Sequence, residues 1–142
     1  MDLVPFARVQ TMIDTADGRS LRLMLTPAEQ ELSRFPTGWD VDGVAGRLAA
    51  KEAVFKLLRV GGRPLPWPSI EILKDSGNRP YVRLTGQAAR WAADDGLEAI
   101  DISISHDGQF AIAVAAGTTR HSVHPNPIPK EVSHGDHDLA RP

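Results

Sequence analysis

Gly46-Arg47-Leu48-Ala49-Ala50-Lys51-Glu52-Ala53-Val54-Phe55-Lys56 is the stretch on which the fold turns. It holds three alanines and no proline, a composition that favours a helix. The spacing predicts one from near Asp42 to about Arg59, stopped by Gly61-Gly62. On that helix residues 48, 52, 55 and 59 share a face. Leu48 and Phe55 are core residues, and Glu52 lies between them on the apolar side. A carboxylate there is costly unless it is paired or holds a metal. Lys56 lies one turn on, so the plain alternative is a surface i,i+4 ion pair, which contributes only ~0.3–0.5 kcal/mol. The alanines predict close packing against a neighbouring element.

Toward the N-terminus, Pro5 precedes a helical pattern of Phe6, Val9 and Ile13 that Asp17-Gly18 breaks. Thr26-Pro27-Ala28-Glu29 reads as a capping box with proline at the first helical position, opening a short helix to about Phe35. Toward the C-terminus, Ile70–Leu73 and Tyr81–Leu84 read as strands joined by the turn Lys74–Pro80. Gly86–Asp95 reads as a helix ended by Gly96. Ile100, Ile102 and Ile104 alternate with Asp101, Ser103 and Ser105, the mark of a half-buried strand. A turn at His106–Gln109 leads to a buried strand, Phe110–Ala115. Hairpins mixed with helices predict an α+β fold, an antiparallel sheet packed with a long central helix.

The chain has 142 residues, 42% hydrophobic and 24% charged, which suits one domain with a tail and excludes a disordered or fibrous chain. No run approaches the ~18–20 apolar residues of a membrane helix, and Met1-Asp2-Leu3-Val4-Pro5 lacks a signal-peptide pattern. The absence of cysteine excludes disulfides, thiolate catalysis and Cys-ligated zinc, and fits a reducing compartment. A net charge of -2 offers no basic field for nucleic acid. Residues 121–142 hold four of the five histidines and few apolar side chains. Residues 1–118 are therefore expected to fold, and 119–142 to form a disordered tail.

Two further segments carry chemistry. Ser103-Ile104-Ser105-His106 ends a strand on a histidine preceded by hydroxyls, suited to phosphate binding or acid–base work, or equally a surface turn. Asp2 is a carboxylate beside an apolar pair, silent by itself.

Taken together, Asp2-Leu3-Val4, Gly46 through Lys56, and Ser103 through His106 resemble the holo-acyl-carrier-protein synthase family of 4′-phosphopantetheinyl transferases. Leu25-Thr26-Pro27-Ala28-Glu29, Ile70-Glu71-Ile72, Gly77-Asn78-Arg79-Pro80 and Leu84-Thr85-Gly86 match the family's intervening pieces. The resemblance spans roughly residues 2–116. Leu48 stands where the family has Phe. Leu23 stands where an arginine precedes the Leu-Thr pair, and Asp107 where Thr or Ser is common.

The resemblance implies transfer of 4′-phosphopantetheine from coenzyme A to a carrier-protein serine, releasing adenosine 3′,5′-bisphosphate. It implies Mg²⁺ held by Asp2 and Glu52, with Lys56 neutralising developing phosphate charge or protonating the leaving group. Arg47 and His106 would hold phosphates of coenzyme A, and Gly61-Gly62 would admit the pantetheine arm. The serine proton would pass to a carboxylate or a metal-held water. The partner would be an acidic acyl carrier protein, of fatty-acid or polyketide type, met by Arg8, Arg19, Arg22 and Arg34. The resemblance further implies a cytoplasmic homotrimer with sites between subunits. The alternative is a catalytically impaired homologue acting as a carrier-protein-binding module. Only Met1 precedes Asp2 here. The first strand is expected to lose ladder bonds, Asp2 to rest on burial of Leu3 and Val4, and either the true start to lie upstream or Mg²⁺ to bind weakly.

Overall fold

The predicted helix forms and is the axis of the molecule. The computed structural model describes residues 1–120: β1 (Asp2–Pro5), α1 (Phe6–Asp14), α2 (Arg19–Met24), α3 (Pro27–Leu32), β2 (Arg34–Phe35), β3 (Gly38–Trp39), α4 (Val41–Leu57), β4 (Ile70–Lys74), β5 (Pro80–Leu84), α5 (Gly86–Asp94), β6 (Leu97–Asp107) and β7 (Phe110–Thr119). The Asp40 carboxylate caps α4 by accepting the Gly43 N–H at 3.0 Å. The helix ends at Leu57, short of Arg59. Arg59 itself takes a left-handed φ of +52° beyond the end, so Gly61-Gly62 is not the stop.

Helix α4 packs on an antiparallel sheet of order β1-β7-β6. Alternation turns Val4, Ala111 and Ala113 toward the helix, all fully buried, and the small alanines allow the close approach that Ala49, Ala50 and Ala53 answer from α4. The other face has no cover among the described residues: Leu3, Phe110 and Val114 are 45%, 41% and 47% exposed. The last strand, read as fully buried, is therefore buried on one face only, and it runs on to Thr119. The β4–β5 hairpin packs separately on α4, with Ile70 to Leu73 buried without interruption.

Three local readings are refined. The capping box is complete: Thr26 Oγ1 accepts from the Glu29 N–H, and the Thr26 N–H donates to Glu29 Oε2 at 2.8 Å. The β6–β7 turn is only Gly108-Gln109, because Asp107 still pairs with Phe110 and Gly108 supplies the positive φ of +55°. His106 thus stays in the strand, on the side of Ile102 and Ile104, and Ser103 and Ser105 point to the opposite face. The hydroxyls do not accompany it. Helix α2 and the short β2–β3 ribbon had no signal in the periodicity. The expected tail lies, from residue 121 on, outside the described residues.

Candidate active site

Strand β1 and helix α4 bring Asp2, Glu52 and Lys56 together. Asp2 pairs with Ala113 in the ladder, so its side chain shares the helix-facing side with Val4. Lys56 Nζ lies 2.8 Å from Asp2 Oδ2 and donates to the Met1 carbonyl at 3.1 Å. Glu52 Oε1 accepts from both terminal nitrogens of Arg8 in α1, at 3.3 and 3.2 Å. The i,i+4 pair of Glu52 with Lys56 does not form; each reaches to another element. Asp2 is also held differently from the expectation. The ladder with β7 is present, Val4 is buried, and Leu3 is exposed, its N–H bonding Asp2 Oδ1 at 2.9 Å.

The two carboxyls are driven apart in acidity. For Asp2, burial opposes ionisation, but the Lys56 hydrogen bond and the Leu3 N–H outweigh it and lower the pKa. For Glu52, burial and the neighbouring Asp2 charge outweigh Arg8 and raise it. The donor set is two hard carboxylate oxygens, and no cluster of three metal-ligating side chains exists among the described residues. This fits Mg²⁺, which binds one or two carboxylates and keeps waters and phosphate oxygens for its remaining positions. It does not fit a metal needing a protein cage.

A second group lines a cleft of about 170 Å³ between α4, β4 and β6, walled by Gly46, Arg47, Leu73, Lys74, Pro80 and His106. Arg47 is 4% exposed; it donates to the Gly43 carbonyl at 3.3 Å, and its Nε is buried with no hydrogen-bond partner. Burial pushes its pKa down, and Glu29 and Asp40 oppose that. A buried donor without an acceptor costs ~1–3 kcal/mol, and Arg47 also supplies positive charge to the lining of the cleft. His106 lies close against the helix, its Nε2 3.0 Å from the Asp42 carbonyl. Glycine at 46 makes this possible: a Cβ there would stand 3.1 Å from that nitrogen and 3.0 Å from Ile104 Cγ2.

The two groups do not meet within one chain. Five residues along α4 from Arg47 to Glu52 amount to about 7.5 Å of rise and roughly 140° of rotation. His106 and Asp2 sit two strands apart, with Asp2 level with Ile104, so their Cα atoms are roughly 12 Å apart. Gly61 and Gly62 fall in neither group. They border an open groove of about 360 Å³ that begins at Lys56 and Phe55.

Sequence reasoning missed the buried charges. Lys51 and Glu29 are both fully buried and 2.8 Å apart. Lys51 also donates to the Trp67 and Ile70 carbonyls at 2.7 and 2.6 Å, and Glu29 accepts the Ile72 N–H at 2.8 Å. Three acceptors around Nζ call for a charged ammonium with three donors, although burial pushes its pKa down against Glu29. Arg8, read only as part of a basic patch, is the partner of Glu52. The other members of that patch stay outside: Arg22 pairs with Asp17 at 3.1 Å, and Arg34 stacks on Trp39 at 4.2 Å.

A carboxylate pair beside a lysine where α4 meets β1, and a cleft lined by Arg47 of α4 and His106 of β6, are groups suited to handling a phosphate-bearing substrate. The family model of the 4′-phosphopantetheinyl transferase superfamily matches residues 1–115, and the chain belongs to that superfamily. Among curated relatives, the holo-[acyl-carrier-protein] synthase of Halothermothrix orenii is 36% identical over 117 residues, 82% of this chain and 93% of that protein. The one from Desulforudis audaxviator is 40% identical over 115 residues, 81% and 87% of the two chains. Among solved structures, Helicobacter pylori holo-[acyl-carrier-protein] synthase in complex with coenzyme A superposes with a TM-score of 0.70 at 31% identity, covering 82% of this chain and 96% of that one. This chain is thus an enzyme of that class. No helix among the described residues is long and apolar enough to cross a membrane.

Proposed function

We propose that the protein transfers the 4′-phosphopantetheinyl group of coenzyme A to a serine of an acyl carrier protein, with Mg²⁺, making holo from apo carrier. The observation that carries this is the meeting of Asp2, Glu52 and Lys56 from two elements at one place. In the reaction the serine oxygen bonds to the β-phosphorus, and the bond from that phosphorus to the bridging oxygen breaks. Adenosine 3′,5′-bisphosphate leaves with the electron pair, and the serine proton is lost. The obstacle is concentrated negative charge, so positioning and electrostatics dominate. Asp2 and Glu52 would hold Mg²⁺, which supplies charge neutralisation at the pyrophosphate oxygens. Lys56, paired with Asp2 and 60% exposed at its side chain, would neutralise charge on the leaving oxygen or protonate it. Arg47 and His106 hold phosphates of coenzyme A in the cleft, and Gly61-Gly62 leaves room for the pantetheine arm. The acidic carrier docks on α2, where Arg19 and Arg22 flank Leu23, which is 69% exposed.

Two observations support a homotrimer with shared sites. The anion cleft and the carboxylate pair stand apart on one chain, and the face of β1 and β7 bearing Leu3, Phe110 and Val114 is apolar and not covered by any described residue. The absence of cysteine agrees with a reducing, cytoplasmic setting.

The test is mass spectrometry of an apo carrier protein incubated with the protein, coenzyme A and Mg²⁺. A pantetheinyl mass gain is expected. Carrier binding without any mass gain overturns the reading in favour of a carrier-protein-binding module.

A further inference from the structure

Asp2 and Glu52 stand side by side, with side chains 18% and 19% exposed, and each has a counter-ion of the protein's own. The two counter-ions are not held alike. Lys56 lies 2.8 Å from Asp2 Oδ2 and also donates to the Met1 carbonyl. Arg8 directs both terminal nitrogens at one atom, Glu52 Oε1, at the longer distances of 3.3 and 3.2 Å. It has no other hydrogen-bond partner among the described residues. Helix α1 itself is fixed, because Val9 is fully buried and the Phe6 N–H donates to the Gln109 carbonyl at 2.8 Å. The Arg8 side chain, 43% exposed, can therefore swing away from Glu52 without moving its helix.

We propose that Arg8 is the resident counter-ion of Glu52: it holds that carboxylate beside Asp2 and competes for it with the divalent cation. This rests on the reading of Asp2 and Glu52 as the Mg²⁺ carboxylates. The charges of Asp2, Glu52, Arg8 and Lys56 sum to zero, so a dication is drawn in weakly until one of the protein's own cations withdraws. Arg8 is the one that withdraws, since its contacts are longer and reach a single acceptor, whereas Lys56 is anchored at two. Arg8 acts through Glu52 and is a positioning residue. Breaking an exposed ion pair of this kind weakens a competing equilibrium by up to about fivefold, and a guanidinium still tethered to α1 repels the cation as well. Together these predict that loss of the charge at residue 8 lowers the Kd for Mg²⁺ by ~3–10-fold. A residue that only supported the fold would act in the opposite direction, because a loosened Glu52 binds a cation less well.

The experiment is titration of the full chain with Mg²⁺ alone at constant ionic strength, read as the rise in melting temperature. It is made on the wild type, Arg8→Gln, Arg8→Lys and Glu52→Gln. Arg8→Gln is expected to respond at ~3–10-fold lower Mg²⁺ than the wild type, and Arg8→Lys, which keeps the charge, to stay within about twofold of it. Glu52→Gln is expected not to respond. Equal or weaker Mg²⁺ binding by Arg8→Gln overturns the proposal, and so does equal tightening in Arg8→Lys; in either case the metal site itself stands. A wild type that does not respond, or a Glu52→Gln that responds as the wild type does, overturns the metal reading and the proposal together.

Discussion

Replacing Lys51 by methionine probes the fold at its most concentrated point. Lys51 and Glu29 are both at 0% side-chain exposure and 2.8 Å apart. The change leaves a buried carboxylate whose remaining partners are the Thr26 and Ile72 N–H groups, and strips a donor from the Trp67 and Ile70 carbonyls. Removing one member of a buried pair costs ~3–5 kcal/mol, because the other charge stays uncompensated. Domains of this size have ~5–15 kcal/mol in all. With a urea m-value of ~1.5 kcal/mol/M, the midpoint should fall by roughly 2–3 M. The informative companion is Glu29→Gln with Lys51→Met. Neither buried charge remains, and the side chains keep their approximate volumes. If burial of an unpaired charge is the cause, the double variant is no less stable than Lys51→Met alone, and the double-mutant cycle gives a coupling of several kcal/mol, above the ~0.5–3 usual for contacting residues. Urea denaturation followed by circular dichroism reads all four proteins. A loss under ~1 kcal/mol for Lys51→Met, or strictly additive losses, would refute the reasoning.

The remaining predictions concern the carboxylates, the lysine and the tail. Glu52 has a raised pKa, so its contribution to stability is present below the unfolded value and lost as pH rises through the folded one. Glu52→Gln should therefore melt slightly higher than wild type at pH 7 in chelator. Added Mg²⁺ should raise only the wild type, by ~2.7 kcal/mol at a hundred times its Kd; an equal response of both would remove Glu52 from the metal site. Asp2 has the opposite sign: its stabilisation is lost as pH falls through its lowered pKa, and Asp2→Asn should flatten that acid limb of a pH–stability curve. Lys56→Ala should lower kcat for carrier modification with little change in KM for coenzyme A, as steady-state kinetics will show. Deleting residues 121–142 should leave melting temperature and turnover unchanged, since that segment is poor in apolar side chains.

Much of the fold was legible because its signals are local. The Thr26–Glu29 box, the Asp75–Arg79 turn and the alternating isoleucines of β6 each fix their own stretch of backbone. What was not legible depends on what packs against what. The strand Phe110–Ala115 is apolar throughout, and sequence could not say that one of its faces lacks a cover among the described residues. The His106 turn was read two residues too long, because His-Asp-Gly-Gln is turn-like whether the strands stop at Ser105 or at Asp107. At the candidate site, the resemblance singled out Asp2, Glu52 and Lys56, which the fold brings side by side. Arg8 was not tied to Glu52, because residues 44 apart in sequence show no mutual pattern.

Lys51 and Glu52 sharpen the point, being neighbours of opposite charge on one helix. Counting 100° per residue, Lys51 falls at the centre of the stripe formed by Val44, Leu48, Val54 and Leu58, all buried, and Glu52 falls at its flank. The spacing put Glu52 on the apolar side, but α4 is buried on nearly every side, so Lys51 is the charge that needs a buried partner. That partner, Glu29, was also in view, but as the glutamate of a capping box, and its roles are one and the same. Its Oε2 accepts both the Thr26 N–H and the Lys51 ammonium, and its Oε1 accepts from Ile72. One carboxylate thus ties α3, α4 and β4, and β4 with α4 forms the wall of the anion cleft. The helix divides its labour by angle: the buried charge at 51 fixes where the helix lies against β4, and the half-buried charge at 52 faces β1 and Asp2. Exchanging the two residues would place an unpaired carboxylate in the core and an ammonium beside Asp2. The spacing of Arg47, Lys51, Glu52 and Lys56 is therefore a requirement of packing and of chemistry at once.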